Sequence, residues 1–338
     1  MTAVPDFLQS VHCPSLQAAH RYSQLRLQEL ARQFEEHSDA LQCIETIAVG
    51  GSLGRLEAGA DSDIDCIIVL RDAAAASDCE VEVALIHELF AHSPFKPSKR
   101  DGIYRHGVRR AALLDRAALG SLSEAPDVFG KRIQLLLDAR PVFACERLEV
   151  LQGAILDWYG SDFIAASPSR GWTYLSNDLT RYLHSYAGWQ QFKFNRVDDD
   201  SWQLRQAKFR SSRLLTFAAL MFLLGESDHD ADKIAWLRTR LTLTPLQRLH
   251  FVMGAYDGPL YDQLLDGYEA SFAALADSAV RTTLVRTGPD AERRMAATLD
   301  PAYLGIKHAS AVIARVLTEF ALARRADWGA RFFERWLF

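Results

Sequence analysis

Two aspartates and a run of glycines are the residues whose spacing could do chemistry. In Ser62-Asp63-Ile64-Asp65-Cys66-Ile67-Ile68-Val69 a pair of carboxylates opens an apolar run. In an extended strand, residues i and i+2 project from one face, so Asp63 and Asp65 are expected to point together at the strand's mouth. Adjacent carboxylates repel each other and are costly to desolvate unless a cation lies between them. An oxygen-only pair of this kind suits Mg²⁺ or Mn²⁺; Mg²⁺ takes one or two carboxylates and completes its shell with water and phosphate oxygens.

Just upstream, Val49-Gly50-Gly51-Ser52-Leu53-Gly54-Arg55-Leu56-Glu57 follows a short β-like run, Ile44–Val49, and precedes what reads as the first turn of a helix. Glycines let phosphate oxygens approach backbone N–H groups, and a helix N-terminus favours anions. Ser52 offers a hydroxyl and Arg55 a cation. The expectation is a loop (Gly51, Ser52, Arg55) that holds a triphosphate beside aspartates that hold its metal. Glu57 is expected to fix Arg55 through a salt bridge.

These residues resemble the DNA polymerase beta superfamily of nucleotidyltransferases, whose signature is Gly-Gly/Ser, a spacer, then Asp-x-Asp/Glu. Gly51, Ser52, Gly54, Arg55, Glu57, Ser62, Asp63 and Asp65 look most like the nitrogen-signalling uridylyltransferases and glutamine-synthetase adenylyltransferases. The close resemblance covers about residues 45–70, with a weaker one at Gly107-Val108-Arg109 and Asp138-Ala139-Arg140. It implies transfer of an NMP from ATP or another NTP to an acceptor hydroxyl on a protein side chain or small molecule. It also implies that a following helical domain offers a cation to the triphosphate. Lys208 is the first choice and Arg213 the substitute, the alternative being a solvated basic face. The family usually adds a third carboxylate on a later strand, but Ile103–Arg110 contains none. The acceptor is then activated differently, with His106 as one possible base; or Asp101 or Asp115 serves; or the protein is a catalytically silent NTP-binding sensor.

The elements that must position these residues fall into two halves. Ser15 to His37 has helical spacing. Ile64–Leu70 reads as a strand buried on both faces, Cys79–His92 and Val128–Leu137 as helices, and Ile103–Leu114 as another strand. Mixed order with short connections implies an α/β nucleotidyltransferase-type domain with a small mixed sheet over residues 38–145, after an N-terminal helix within 1–37. From 146 to 338 the spacing is helical throughout, implying an all-α domain. Tyr182, Tyr186, Trp189 and Phe192 read as core there, and Asn177, Asp178 and Arg181 as one polar helix face.

Composition bounds the rest. The 338 residues are 49% hydrophobic and 24% charged, ordinary for a globular chain with two cores. A net charge of -5 disfavours a long nucleic-acid track or an anionic membrane. The five cysteines are scattered, which fits buried free thiols in a reducing compartment. The longest apolar run, Leu214–Leu224, is far short of the ~18 residues of a membrane span. A cytoplasmic protein is expected.

Overall fold

The computed structural model describes residues 5–96, 103–118, 121–160, 171–194, 202–227, 230–285 and 300–337. The chain forms two compact units, one of residues 19–178 with 227–244, the other of 1–18, 179–226 and 245–338.

The first unit is mixed α/β. Its elements are α1 (Pro14–Glu36, from Ala19 on), β1 (Ile44–Gly50), α2 (Gly51–Gly54), β2 (Asp65–Leu70), α3 (Ala76–Ala91), β3 (Val108–Arg109), α4 (Arg110–Leu113), α5 (Pro126–Leu137), β4 (Arg140–Phe143) and α6 (Cys145–Gly160). The sheet order is β3-β2-β1-β4. β1 runs antiparallel to β2 and β4, while β2 and β3 are parallel. Ile44, Ile47 and Val49 of β1 and Cys66, Ile68 and Leu70 of β2 share a core with Leu30 and Phe34 of α1 and Ile86 and Phe90 of α3. Ile67 and Val69, on the opposite face of β2, are buried as well. Each such aliphatic side chain contributes roughly 1.5–3 kcal/mol when fully buried, which pins β2 and so fixes where Asp65 emerges.

The expected strand over Ile103–Leu114 is mostly not one. Residues 103–106 form turns, β3 is two residues long, and α4 follows at once. Gly107 passes so close to the Leu70 side chain that a Cβ would lie 2.8–2.9 Å from it. Asp72 Oδ1 accepts from Ala111 N–H at 2.7 Å and so caps the helix that ends the strand. The α/β unit also reaches beyond residue 145. Gln152 Nε2 of α6 donates to the Leu135 carbonyl at 2.7 Å, and Trp172 Nε1 donates to Ser227 Oγ at 2.7 Å. The segment after Ser227 carries α10 (Lys233–Arg240), whose Arg238 pairs with Asp157 of α6 at 3.4 Å. Behind the sheet, Arg132 of α5 is fully buried, held by Glu124, by Tyr159 at 3.1 Å and by the Trp158 ring at 4.5 Å. Asp178 belongs to that network through Tyr159 and is buried, while Asn177 is exposed. The two do not share a polar face.

In the second unit every described element is helical. Its elements are α7 (Thr173–Phe194, from Leu179 on), α8 (Trp202–Lys208), α9 (Leu214–Glu226), α11 (Pro245–Leu249), α12 (Gly258–Ala276), α13 (Ser278–Val285), α14 (Pro301–Ala323) and α15 (Arg325–Leu337). The helix expected over Trp202–Leu224 is interrupted by a π turn at Phe209–Arg213, and another follows α11 at His250–Gly254. Phe222, Phe320 and Trp328 meet with ring centroids 5.2–6.0 Å apart. Glu226 accepts from Trp328 Nε1 at 2.9 Å and from Arg324 at 2.6 Å. Glu269 of α12 accepts from the N–H groups of Ser15 and Leu16, capping α1 at 2.9 and 3.0 Å. No helix among the described residues is long and apolar enough to cross a membrane.

Candidate active site: a glycine turn against an acidic strand end

The antiparallel register of β1 and β2 pairs Gly50 with Asp65, so the glycine turn and the acidic pair lie at the same end of these two central strands. Gly51 has φ +63, a left-handed conformation that favours glycine, and a Cβ there would overlap Asp65 Oδ2. The turn α2 is only four residues long, with Gly50 as its N-cap, and Arg55 N–H closes it on the Gly51 carbonyl at 3.0 Å. The N–H groups of Gly51, Ser52 and Leu53 therefore precede any intrahelical acceptor.

Asp63 is exposed, Ile64 is 1% exposed and Asp65 is half-buried. That alternation sends Ile64 into the core and both carboxylates to the other face. Asp63 pairs with Lys96 in a parallel bridge, Ile64 N–H donating to the Lys96 carbonyl at 3.1 Å. The Lys96 ammonium meets Asp61 Oδ1 at 2.9 Å on the surface.

Arg55 is not turned outward. Its Nε donates to Glu57 Oε2 at 2.6 Å and its Nη1 to Asp138 Oδ2 at 2.9 Å, and its side chain is 11% exposed, against 3% for Glu57 and 5% for Asp138. The guanidinium balances two buried carboxylates, so its contact here is with the loop's own frame. Leu56 supports the reversal with φ +62, and Glu57 N–H donates to the Ser52 carbonyl at 2.7 Å. Asp138, just before β4, is a residue of this cluster that motif reading passed over as a site residue. The only sequence signal was the Asp138-Ala139-Arg140 similarity.

The remaining candidates lie elsewhere. Asp115 is exposed and caps a turn by accepting from Ala117 N–H at 3.0 Å. It follows α4, on the Leu70 side of the sheet, whereas Asp63 and Asp65 head β2. Asp101 lies outside the described residues. His106 is exposed, and its carbonyl accepts from the buried Lys131 ammonium at 2.7 Å. Burial pushes the Lys131 pKa down, with Asp127 opposing. Lys208 is half-buried at the end of α8 in the helical unit. Arg213 stacks its guanidinium 3.8 Å over the Tyr186 ring, and Tyr182 and Tyr186 are half-buried rather than core. The side chains of Trp189 and Phe192 lie outside the described residues.

Among the described residues no group of three or more His, Cys, Asp or Glu side chains could by itself hold a metal. The chain gives no match when compared with protein-family models, with curated proteins or with solved structures.

Proposed function

We propose that the α/β unit is the catalytic unit of a metal-dependent nucleotidyltransferase, moving an NMP from an NTP to an acceptor hydroxyl with release of pyrophosphate. The observation that carries this reading is the contact of Gly51 with Asp65, with Asp63 on the same face. A left-handed glycine lets the turn's backbone N–H groups lie close beside the Asp65 carboxylate, an arrangement that suits a phosphate loop next to a metal site.

In this reading Asp63 and Asp65 are the residues that would hold Mg²⁺ or Mn²⁺. The bound ion would orient the phosphates and offset charge on the attacking and leaving oxygens. Gly51 and Ser52 receive the β- and γ-phosphates through their backbone N–H groups and the Ser52 hydroxyl. Arg55 keeps the turn in shape from below. The acceptor is a protein side chain or a small molecule, since a net charge of -5 disfavours a nucleic-acid track. Five free cysteines, four of them buried, support a cytoplasmic setting.

Incubation of the pure chain with each labelled NTP and Mg²⁺, alone and with cell lysate, tests the reading. Metal-dependent pyrophosphate release with label moving to an acceptor is the expected result. Metal-dependent NTP binding without turnover in any lysate would instead establish the sensor reading. That reading is favoured by one observation, that neither Asp115 nor any other described acid joins the pair.

A further inference from the structure

The glycine turn is held by a second carboxylate besides Asp65. Asp138 lies 83 positions beyond Arg55 in the chain, yet accepts from its guanidinium at 2.9 Å. The Asp138 backbone carbonyl packs so closely on Gly54 that a Cβ there would overlap it. Its other carboxylate oxygen, Oδ1, lies 3.2 Å from where a Cβ on Gly50 would stand, and Gln134 Nε2 lies 2.5 Å from the same point. Two residues on, Arg140 Nε donates to the Gly54 carbonyl at 3.0 Å. Asp138 and Arg140 thus touch both ends of the segment from Gly50 to Arg55, while Asp65 meets it at Gly51.

This arrangement is costly to build. Asp138 Oδ1 is buried and accepts no hydrogen bond, although a buried carboxylate oxygen ordinarily has a partner. If Asp138 served the hydrophobic core alone, an apolar residue would fill the space at lower cost. What the carboxylate adds is a fixed direction for Arg55, and hence for the turn that Arg55 closes.

We propose that Asp138 is a positioning residue: through Arg55 and Gly54 it sets the conformation of Gly50–Gly54 against Asp65, and thereby the affinity of the turn for a metal-bound triphosphate. The clamp follows from the contacts alone; its effect on a ligand rests on the nucleotidyl-transfer reading above.

The test compares wild type, Asp138→Asn, Asp138→Ala and the control Ile155→Val, which loosens α6 of the same unit without touching the turn. Hydrogen exchange of a peptide spanning residues 50–57 reads the clamp. Titration with the Mg²⁺ complexes of α,β-methylene ATP, UTP, GTP and CTP reads the ligand site. Expected for Asp138→Asn is a folded protein whose exchange in 50–57 rises at least tenfold and whose tightest dissociation constant rises at least tenfold. Ile155→Val should change neither. Should Asp138→Ala fail to fold, the isosteric Asn variant still decides. Unchanged exchange in a folded Asp138→Asn protein would overturn the clamp. Faster exchange with unchanged affinity would overturn the positioning of the ligand site. A wild type that binds none of the four complexes would sink the proposed function and the ligand half of this inference with it, while the exchange result would still judge the clamp.

Discussion

The Oδ2 atom of Asp65 occupies the space into which a Cβ on Gly51 would project. A turn residue and a strand residue thus share a volume that only glycine leaves open. Gly51→Ala must either push Asp65 aside or open the turn, and it also places a side chain at φ +63. The conformational part costs about 1 kcal/mol, so the variant should fold with a slightly lower melting temperature. Its affinity for Mg²⁺–NTP, read by calorimetry, should fall at least tenfold. Wild-type affinity in a folded Gly51→Ala protein would remove the turn from the site.

Asp63→Asn and Asp65→Asn should each abolish transfer, because a neutral amide does not balance a divalent cation. In metal-free buffer the same substitutions relieve repulsion between the carboxylates, so the melting temperature should hold or rise. Turnover near wild type in either variant would show that the aspartate concerned is not a metal ligand.

Arg55→Met would leave Glu57 and Asp138 buried without their cation. Breaking a buried pair by removing one partner costs about 3–5 kcal/mol, and here two carboxylates lose their partner together. Urea unfolding should show a loss of that order. A loss below about 1 kcal/mol would mean that Arg55 belongs to the ligand rather than to the frame.

His20 of α1 supplies a pH dependence. Burial, then Arg140 and Arg21, disfavour its imidazolium and push its pKa from 6.5 down to about 4. Between those values the unfolded chain binds a proton that the folded chain does not. Stability therefore falls as pH drops from 6.5 towards 4 and is level above 6.5, as far as this group decides it. The loss is at most about 3 kcal/mol. Urea midpoints between pH 7 and 4.5 should fall less steeply in His20→Gln than in wild type; equal slopes would assign the acid sensitivity to other groups.

In the helical unit, Trp328→Ala removes a ring packed on Phe222 and Phe320 and a donor to Glu226. A loss of about 3–5 kcal/mol is expected. Trp328→Phe keeps much of the packing and should lose mainly the hydrogen bond, about 1–2 kcal/mol. Equal losses in the two variants would show that the indole N–H, not the ring, is what holds α15.

The parts of this site that were legible in the sequence are those made by neighbours in the chain. Period-two alternation around Ile64 and the glycines after Val49 predicted the two strand ends, and Glu57 was in reach of Arg55 on spacing alone. Asp138 was not legible as its partner, because an ion pair across 83 positions leaves no periodic trace. β4, four residues with a proline, is too short for a pattern. β3 was overread because Ile103–Leu114 is rich in apolar residues, whereas Gly107 and the Asp72 cap confine pairing to Val108 and Arg109. The π turns at Phe209 and His250 keep helical spacing on both sides, so periodicity runs through them unmarked.

The Glu269 cap on α1 has a consequence for the order in which the chain can be completed during synthesis. Ser15 and Leu16 find their carboxylate 254 and 253 positions later, and the Phe7 carbonyl finds the Tyr261 hydroxyl 254 positions later. At roughly 5–20 residues per second, these groups emerge from the ribosome about 13–50 s before their partners. Through that interval the start of α1 lacks the carboxylate that caps it, while residues 19–178 emerge in turn and become free to fold around β1 and β2. The acidic strand end and the glycine turn can then come together before the first helix acquires its cap.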